Sequence, residues 1–413
     1  MRAYLGADWS STEAACAVAG ETGDARLMSG RAEPTLASVR QFVGRAREMV
    51  GADEVYVMIE AGARAWISLF HAAGAVVFVV DPKQARRFAE SRSSSGAKDD
   101  SRDAMSLAEM CRSEPHRKKQ WEPDSPELQQ VDVLCGLQEQ LTTDLGRSKQ
   151  RLRDIVRAHM PLVERALPKD LTVGWVDRFL RKVPTPWHAR KLTRPAFDRL
   201  LGRSQAVTRD RVWDALQRTA APWLDDKDVA NAIATGVRVQ LDQMAMLDRQ
   251  LAEVEKQIDA VTAGMERRTR AETMGGVAMK MATALIRHGF RDEVPSDRDA
   301  ASVQMGASPV FVGSGRRRDG RPKGVVRMRR AVASSARRAT YLLGRLVSQR
   351  LSWARAMYAD AMSRGQKPAT AYRRIARSVL RIQTAMARNG EDYDDARYVA
   401  ALKAKGVPWA AAL

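Results

Sequence analysis

The sequence predicts an α/β domain followed by a mostly helical chain. Three observations carry that expectation. Residues 1 to about 120 alternate short β-type runs with helical ones, a long amphipathic pattern begins at Ser125, and Arg-rich helical segments fill the last third. The expected division is an α/β domain over 1–124, a helical, coiled-coil region with an insertion over 125–267, and a mainly helical domain over 268–413.

Each element follows from local pattern. "AYLGADWS" and "ACAVAG" are β-type runs, "LASVRQFVGRAREMVG" has helical spacing, and "VYVMIEAG" is again a strand. "RAWISLFHAAG" predicts a helix and "AVVFVVDP" another strand. The polar loop "SRSSSGAKDD" then leads into "SRDAMSLAEMCR", helical after an acidic start. Beyond it, Ser125 stands as an N-cap with Pro126 at the first helical position of a long helix. Residues 161 to about 230 hold Pro and Trp in helical fragments with no motif of their own. Leu247, Leu251, Val254, Ile258, Val261 and Met265 step by four and three, a short coiled-coil seam that allows pairing within the chain or between copies. Trp66, Trp121, Trp175, Trp187, Trp213, Trp223 and Trp353 read as core or interface anchors rather than base-stacking platforms.

Composition narrows the function. Among 413 residues, 69 Lys and Arg outnumber 49 Asp and Glu, for a net charge of +20. That balance points to a polyanion, nucleic acid above all. Three scattered cysteines, Cys16, Cys111 and Cys135, exclude a disulfide framework, and no Cys/His cluster has zinc-ligand spacing. The start "MRAYLGADWSS" lacks a signal-type apolar core and no run is long enough to span a membrane, so the expected location is the cytoplasm, on the nucleoid.

The charge balance makes "AKDDSRDAMSLA" conspicuous, since Asp99, Asp100 and Asp103 fall within five positions. Close carboxylates raise one another's pKa unless a positive charge stands between them. Asp8 ends the first strand and Glu60 closes "VYVMIEAG", both where strand ends meet the surface. Asp100 and Asp103 are three apart at a helix start and share a face. Four such oxygen donors suit a hard divalent cation, Mg²⁺ by default where the substrate is a phosphodiester. Taken singly, each acid has a plainer explanation: Asp99 or Asp100 as N-cap, Asp103 as partner of the helix dipole, Asp8 as a turn residue, and Glu60 before "AGAR" as a solvated acid or a cap of the next helix. The joint placement favours the metal.

The patterns "GADWS", "VMIEAG" and "AKDDSRDAMSLA", with a long helix after them and a late "GASPVFVGSG", resemble the DEDD transposases of bacterial insertion sequences, the IS-one-ten family. The resemblance covers residues 1 to about 160 and about 268 to 350. It implies a RuvC-like, RNase H-type mixed-sheet domain in which Asp8, Glu60, Asp100 and Asp103 bind Mg²⁺, with Asp99 a second candidate. It also implies recombination of double-stranded DNA guided by a structured RNA encoded by the element. One segment departs from the family: "TMGGVAMKMATALI" has Gly275 and Ala278 where Pro and Gly are usual, so that turn either offers amides to phosphate or simply packs helices.

The last third carries the second half of the chemistry. Ser314 stands between Gly313 and Gly315, unhindered by neighbours, and Arg316, Arg317, Arg318, Arg321, Lys323, Arg327, Arg329 and Arg330 follow with Asp319 as the one acid. Arg binds phosphate in bidentate fashion, so this cluster is the expected nucleic-acid surface. A flexible Gly-Ser-Gly link is the plain alternative for Ser314. The family resemblance makes Ser314 the nucleophile that forms a phosphoserine link to DNA, with Ser308 its nearest rival. No His lies beside it to act as base. Exchange at two DNA sites calls for a homo-oligomer, a dimer or tetramer. Two other functions fit the same residues: a RuvC-like endonuclease that only hydrolyses, and a non-catalytic nucleic-acid-binding protein.

Overall fold

The computed structural model describes residues 1–20, 26–92, 99–115, 120–202, 206–219, 226–290, 297–316, 322–329, 332–411 and 413. The chain divides into two compact units, Met1–Pro123 and Asp124–Leu413.

The first unit contains β1 (Arg2–Trp9), β2 (Ala14–Ala19), β3 (Arg26–Ala32), α1 (Leu36–Val50), β4 (Glu54–Glu60), α2 (Arg64–Ala72), β5 (Val76–Val80), α3 (Pro82–Arg92), α4 (Asp100–Ser113) and β6 (Gln120–Trp121). Its sheet runs β3-β2-β1-β4-β5-β6, with β1, β4 and β5 parallel and β2, β3 and β6 antiparallel to their neighbours. This is a mixed α/β sheet consistent with the RNase H-like expectation. Alternation along β1 sorts its side chains. Ala3, Leu5 and Ala7 join Val39, Phe42, Trp66 and Phe70 of α1 and α2 in one core. Tyr4, Gly6 and Asp8 face the other way. On that side Met58 of β4 packs with Leu107, Met110 and Cys111 of α4, while Ala15 and Ala17 of β2 meet Ala104. Alanine and glycine on this face let α4 lie directly on the backbone of the sheet.

The second unit holds α5 (Pro126–His159), α6 (Pro161–Ala166), α7 (Gly174–Lys182), α8 (Pro186–Ala189), α9 (Arg194–Leu201), α10 (Ala206–Gln217), α11 (Lys227–Thr262), α12 (Glu266–Glu272), α13 (Met279–His288), α14 (Ala300–Gln304), β7 (Pro309–Arg316), β8 (Pro322–Met328), α15 (Ser334–Arg350), α16 (Ser352–Ser363), α17 (Pro368–Asn389) and α18 (Asp395–Ala404). Ser125 caps α5 by accepting from the Leu128 amide at 3.3 Å, with Pro126 opening the helix. α11 lies antiparallel along α5, as the Gln138–Glu255 and Ser148–Gln240 hydrogen bonds at 3.3 and 3.1 Å show.

Leu247, Val254 and Ile258 are therefore buried against Val131, Cys135, Leu141 and Leu145 of the same chain. The intrachain pairing that the seam allowed is formed. The fragments between α5 and α11 extend that core: Trp175, Phe179, Phe197 and Leu201 enter it, with the Phe179 and Phe197 rings edge to face at 5.8 Å. A separate core joins α12–α18 around Trp353, Leu343, Ile375 and Val379. At the "TMGG" turn, Gly276 has φ 92° and a Cβ there would stand 2.9 Å from the Leu346 carbonyl and the Val347 backbone of α15. Close helix packing accounts for that glycine. No helix among the described residues is long and apolar enough to cross a membrane.

Candidate metal-binding carboxylates and the serine ribbon

Parallel pairing of β1 with β4 matches Gly6 to Met58 and Ala7 to Ile59, and the next residue on each strand is a carboxylate, Asp8 and Glu60. Both lie on the α4 face, two positions after Gly6 and Met58 respectively. α4 is drawn down on this edge because Gly6 has no side chain: a Cβ there would stand 2.0 Å from the Ala104 carbonyl oxygen and 2.3 Å from the Ala108 nitrogen. Asp103 precedes Ala104 and is carried to the same edge. The loops that follow the strands are tied together as well. Trp66 Nε1 donates to the Ser10 carbonyl at 3.0 Å, and Gly62, at φ 107°, accommodates the Trp9 ring.

Two of these acids lie close enough to affect one another. Burial, then the neighbouring charges of Asp103 and Asp81, push the Glu60 carboxyl above its ordinary value. Asp81 was not among the sequence candidates. It follows Val80, which pairs with Glu60 across β4 and β5. Its own side chain accepts from the Lys83 amide at 2.9 Å and starts α3. The signal for it was the acid closing "AVVFVVDP", the same strand-end position that marked Asp8 and Glu60.

The remaining acids are placed differently. Asp99 is the N-cap of α4, accepting from the Ser101 amide at 3.2 Å, which is the plain role considered for it. Asp100 occupies the first turn and is exposed, whereas Asp103 and Asp8 are half-buried. Among the described residues, no three His, Cys, Asp or Glu side chains are gathered closely enough to hold a metal ion. The donors are of the kind Mg²⁺ takes: carboxylate oxygens, with the ionised form of Glu60 destabilised by burial and then by its like-charged neighbours, and Mg²⁺ typically takes one or two carboxylates plus waters and substrate phosphate rather than a protein cage.

Ser314 lies in β7, which pairs antiparallel with β8 as a two-stranded ribbon. Phe311 is opposite Val326, Val312 opposite Val325, and Gly313 opposite Gly324, and the register shifts between Gly313 and Arg316. Gly315 has φ 76°, a left-handed conformation that favours glycine. The backbone therefore turns sharply at the residue after Ser314. Ser308 is buried at the foot of the ribbon, so it is poorly placed as a rival nucleophile. Of the basic cluster, Arg327 is exposed and Arg329 half-buried. Arg317, Arg318, Arg321 and Arg330 lie outside the described residues, and for Ser314, Arg316 and Lys323 only the backbone is described.

Comparison with known proteins agrees with this architecture. Residues 5–161 match the transposase family model of the DEDD, IS110 type. The putative transposase y4uE of Sinorhizobium fredii is 28% identical over 205 residues, 48% of this chain and 56% of that protein. The mini-circle putative transposase for IS117 of Streptomyces coelicolor is 25% identical, over 47% of this chain and 48% of its own length. An insertion element IS110 protein of 43.6 kDa from the same organism is 25% identical over 72% of both chains. The chain thus spans about half the length of the first two relatives and more of the third.

Proposed function

Because residues 5–161 match the DEDD transposase model of the IS110 type, we propose that the chain is such a transposase, one that cuts and rejoins double-stranded DNA for a mobile element. The observation that carries this reading is the approach of Glu60 to Asp103 at the sheet edge where β1 also delivers Asp8. Acids brought this close raise one another's pKa and are costly to a fold, and a phosphodiester enzyme has a use for them.

Of Asp8, Glu60, Asp100 and Asp103, the neighbouring pair Glu60 and Asp103 would hold Mg²⁺ together with waters and substrate phosphate, with Asp8 and Asp100 as further candidates, and the ion when bound would supply Lewis-acid polarisation of the scissile phosphate. Ser314 is the nucleophile. Its Oγ bonds to phosphorus as the bond from phosphorus to a deoxyribose oxygen breaks, the serine proton passing to solvent and the leaving oxygen taking up another. Attack by a second strand's hydroxyl reverses the step and frees the serine. The phosphoserine link keeps the energy of the phosphodiester, so rejoining needs no nucleotide hydrolysis. The Arg cluster from Arg316 to Arg330 grips the backbone phosphates and offsets charge developing on the phosphorus oxygens. A structured RNA encoded by the element acts as guide, a second polyanion for which a +20 chain is suited. Exchange at two sites is the reason for assigning a homo-oligomer.

The test is cleavage and joining of duplex DNA bearing the ends of the segment that encodes the chain, with its flanking RNA supplied. Wild-type protein with Mg²⁺ is expected to yield joined products, and Asp103→Asn to yield none. Joining by Asp103→Asn at the wild-type rate would overturn the proposal.

A further inference from the structure

The β7–β8 ribbon carries more apolar surface than its basic sequence suggests. Phe311 is 52% exposed, Val312 48%, Val325 57% and Val326 66%. Pairing puts Phe311 and Val326 together on one face and Val312 and Val325 together on the other. Both faces of a two-stranded ribbon are thus apolar and solvent-exposed, an arrangement that is marginal in water and marks an interaction surface.

Gly324 leaves room beside the Phe311 ring. A Cβ there would stand 2.4 Å from Phe311 Cζ, 2.7 Å from the Val312 carbonyl oxygen and 2.8 Å from Gly313 Cα, so the glycine lets the ring reach across the ribbon next to Gly313. The result is an exposed aromatic plate on the approach to Ser314.

Charge identifies what covers it. Arg327 is exposed on β8, Arg329 follows it, and the sequence between Arg316 and Arg330 contains one acid, Asp319. A protein partner would have to neutralise that charge while also matching two apolar faces, whereas duplex DNA offers both. Its phosphates take the arginines, and its groove admits a two-stranded ribbon whose apolar side chains meet thymine methyls and base edges or wedge between base steps.

We propose that the β7–β8 ribbon inserts into a groove of duplex DNA, with Phe311 and Val326 as the apolar contact and Arg327 on the phosphates, so that the groove positions the phosphodiester beside Ser314. The inference rests on the assignment of Ser314 as the reacting residue only for what the insertion is for. The insertion itself is measured without chemistry.

The experiment uses the full chain with Ser314→Ala, so that no covalent link forms, and a mixed-sequence duplex of defined length as probe, titrated at several salt concentrations. Phe311→Ala and Val326→Ser are each expected to weaken binding roughly tenfold, the scale of losing one aromatic or apolar base contact, with the salt slope unchanged. Phe311→Tyr, which keeps the plate, is expected to bind as the parent does, separating loss of contact from loss of the ribbon. Arg327→Gln is expected to reduce the slope by about one. Parent-like affinity in both Phe311→Ala and Val326→Ser would overturn the proposal. So would unchanged affinity accompanied by a lower mass in light scattering, which would make the ribbon a contact between copies. If instead the serine assignment alone were wrong, these affinities would still fall while the otherwise native Ser314→Ala protein retained its DNA adduct.

Discussion

Gly6 of β1 lies so close beneath Ala104 of α4 that a Cβ on the glycine would stand 2.0 Å from the alanine's carbonyl oxygen. That approach seats the first turn of α4, with Asp103, over the strand ends bearing Asp8 and Glu60. The geometry of the acidic edge is thus fixed by a missing side chain. Gly6→Val is expected to lift α4 and destabilise the first unit by about 3 kcal/mol or more, the upper range for overpacking, because the obstacle is backbone. Hydrogen exchange localises the effect: amides of β1 and α4 should lose protection. Native protection in this variant would mean that α4 does not depend on the glycine.

Glu60 gives a pH signature. Its folded pKa is raised by burial and by Asp103 and Asp81, so the native state holds the proton more tightly than the unfolded chain. The stabilising contribution of protonation is complete below the ordinary carboxylate range and is lost as pH rises through the raised value. Without divalent cation at neutral pH, Glu60→Gln should therefore melt at a higher temperature than wild type, with the difference vanishing near pH 4. Mg²⁺ should raise the melting temperature of wild type and leave Glu60→Gln nearly unmoved. An equal Mg²⁺ response in the two proteins would remove Glu60 from the metal site.

Asp99 and Asp103 should separate cleanly although both stand at the start of α4. Asp99 accepts from the Ser101 amide as the helix cap, so Asp99→Ala should cost about 1 kcal/mol of stability and leave DNA cleavage measurable. Asp103→Asn should do the reverse, with stability preserved and cleavage lost. Urea unfolding and a nicking assay on the same two preparations check both halves. Full loss of cleavage in a well-folded Asp99→Ala protein would make Asp99 a metal ligand.

The α5–α11 seam bears on assembly. Ile258 is 1% exposed and packs within its own chain, so Ile258→Ala should destabilise the second unit by roughly 2–5 kcal/mol. Its mass in light scattering should match wild type, because the seam is already occupied. A shift in mass without a loss of stability would show that Ile258 faces a second copy.

The sequence made regular elements and strand-end acids legible, and it failed where structure depends on partners distant in the chain. Strands β1, β4 and β5 declare themselves by apolar runs, and α5 by its Ser-Pro start. Strand β3, "RLMSGRA", sits at the sheet edge and is held by its pairing with β2, so its own residues carry no strong β signal. Asp81 precedes a proline after a strand, a local pattern that by itself suggests only a turn. Its proximity to Glu60 exists only once β5 pairs with β4. The β7–β8 ribbon was hidden for another reason: glycines and arginines dominate "VGSGRRRDGRPKGVVRM", and its strand character comes from cross-strand pairing rather than local propensity. What the sequence did give was the serine between two glycines, one of which adopts the positive φ that such a turn requires.

The measurement that bears most directly on the account is the capture of a covalent protein–DNA adduct that survives denaturing electrophoresis. Wild-type protein, Mg²⁺, the guide RNA and duplex carrying the element's ends should give an adduct whose phosphorylated residue maps to Ser314. Ser314→Ala should give none while still binding the DNA, and Ser308→Ala, if it folds, should retain the adduct. An adduct that persists in Ser314→Ala would contradict the serine assignment, and cleavage of DNA by wild type with no adduct at any time would make the protein a hydrolase.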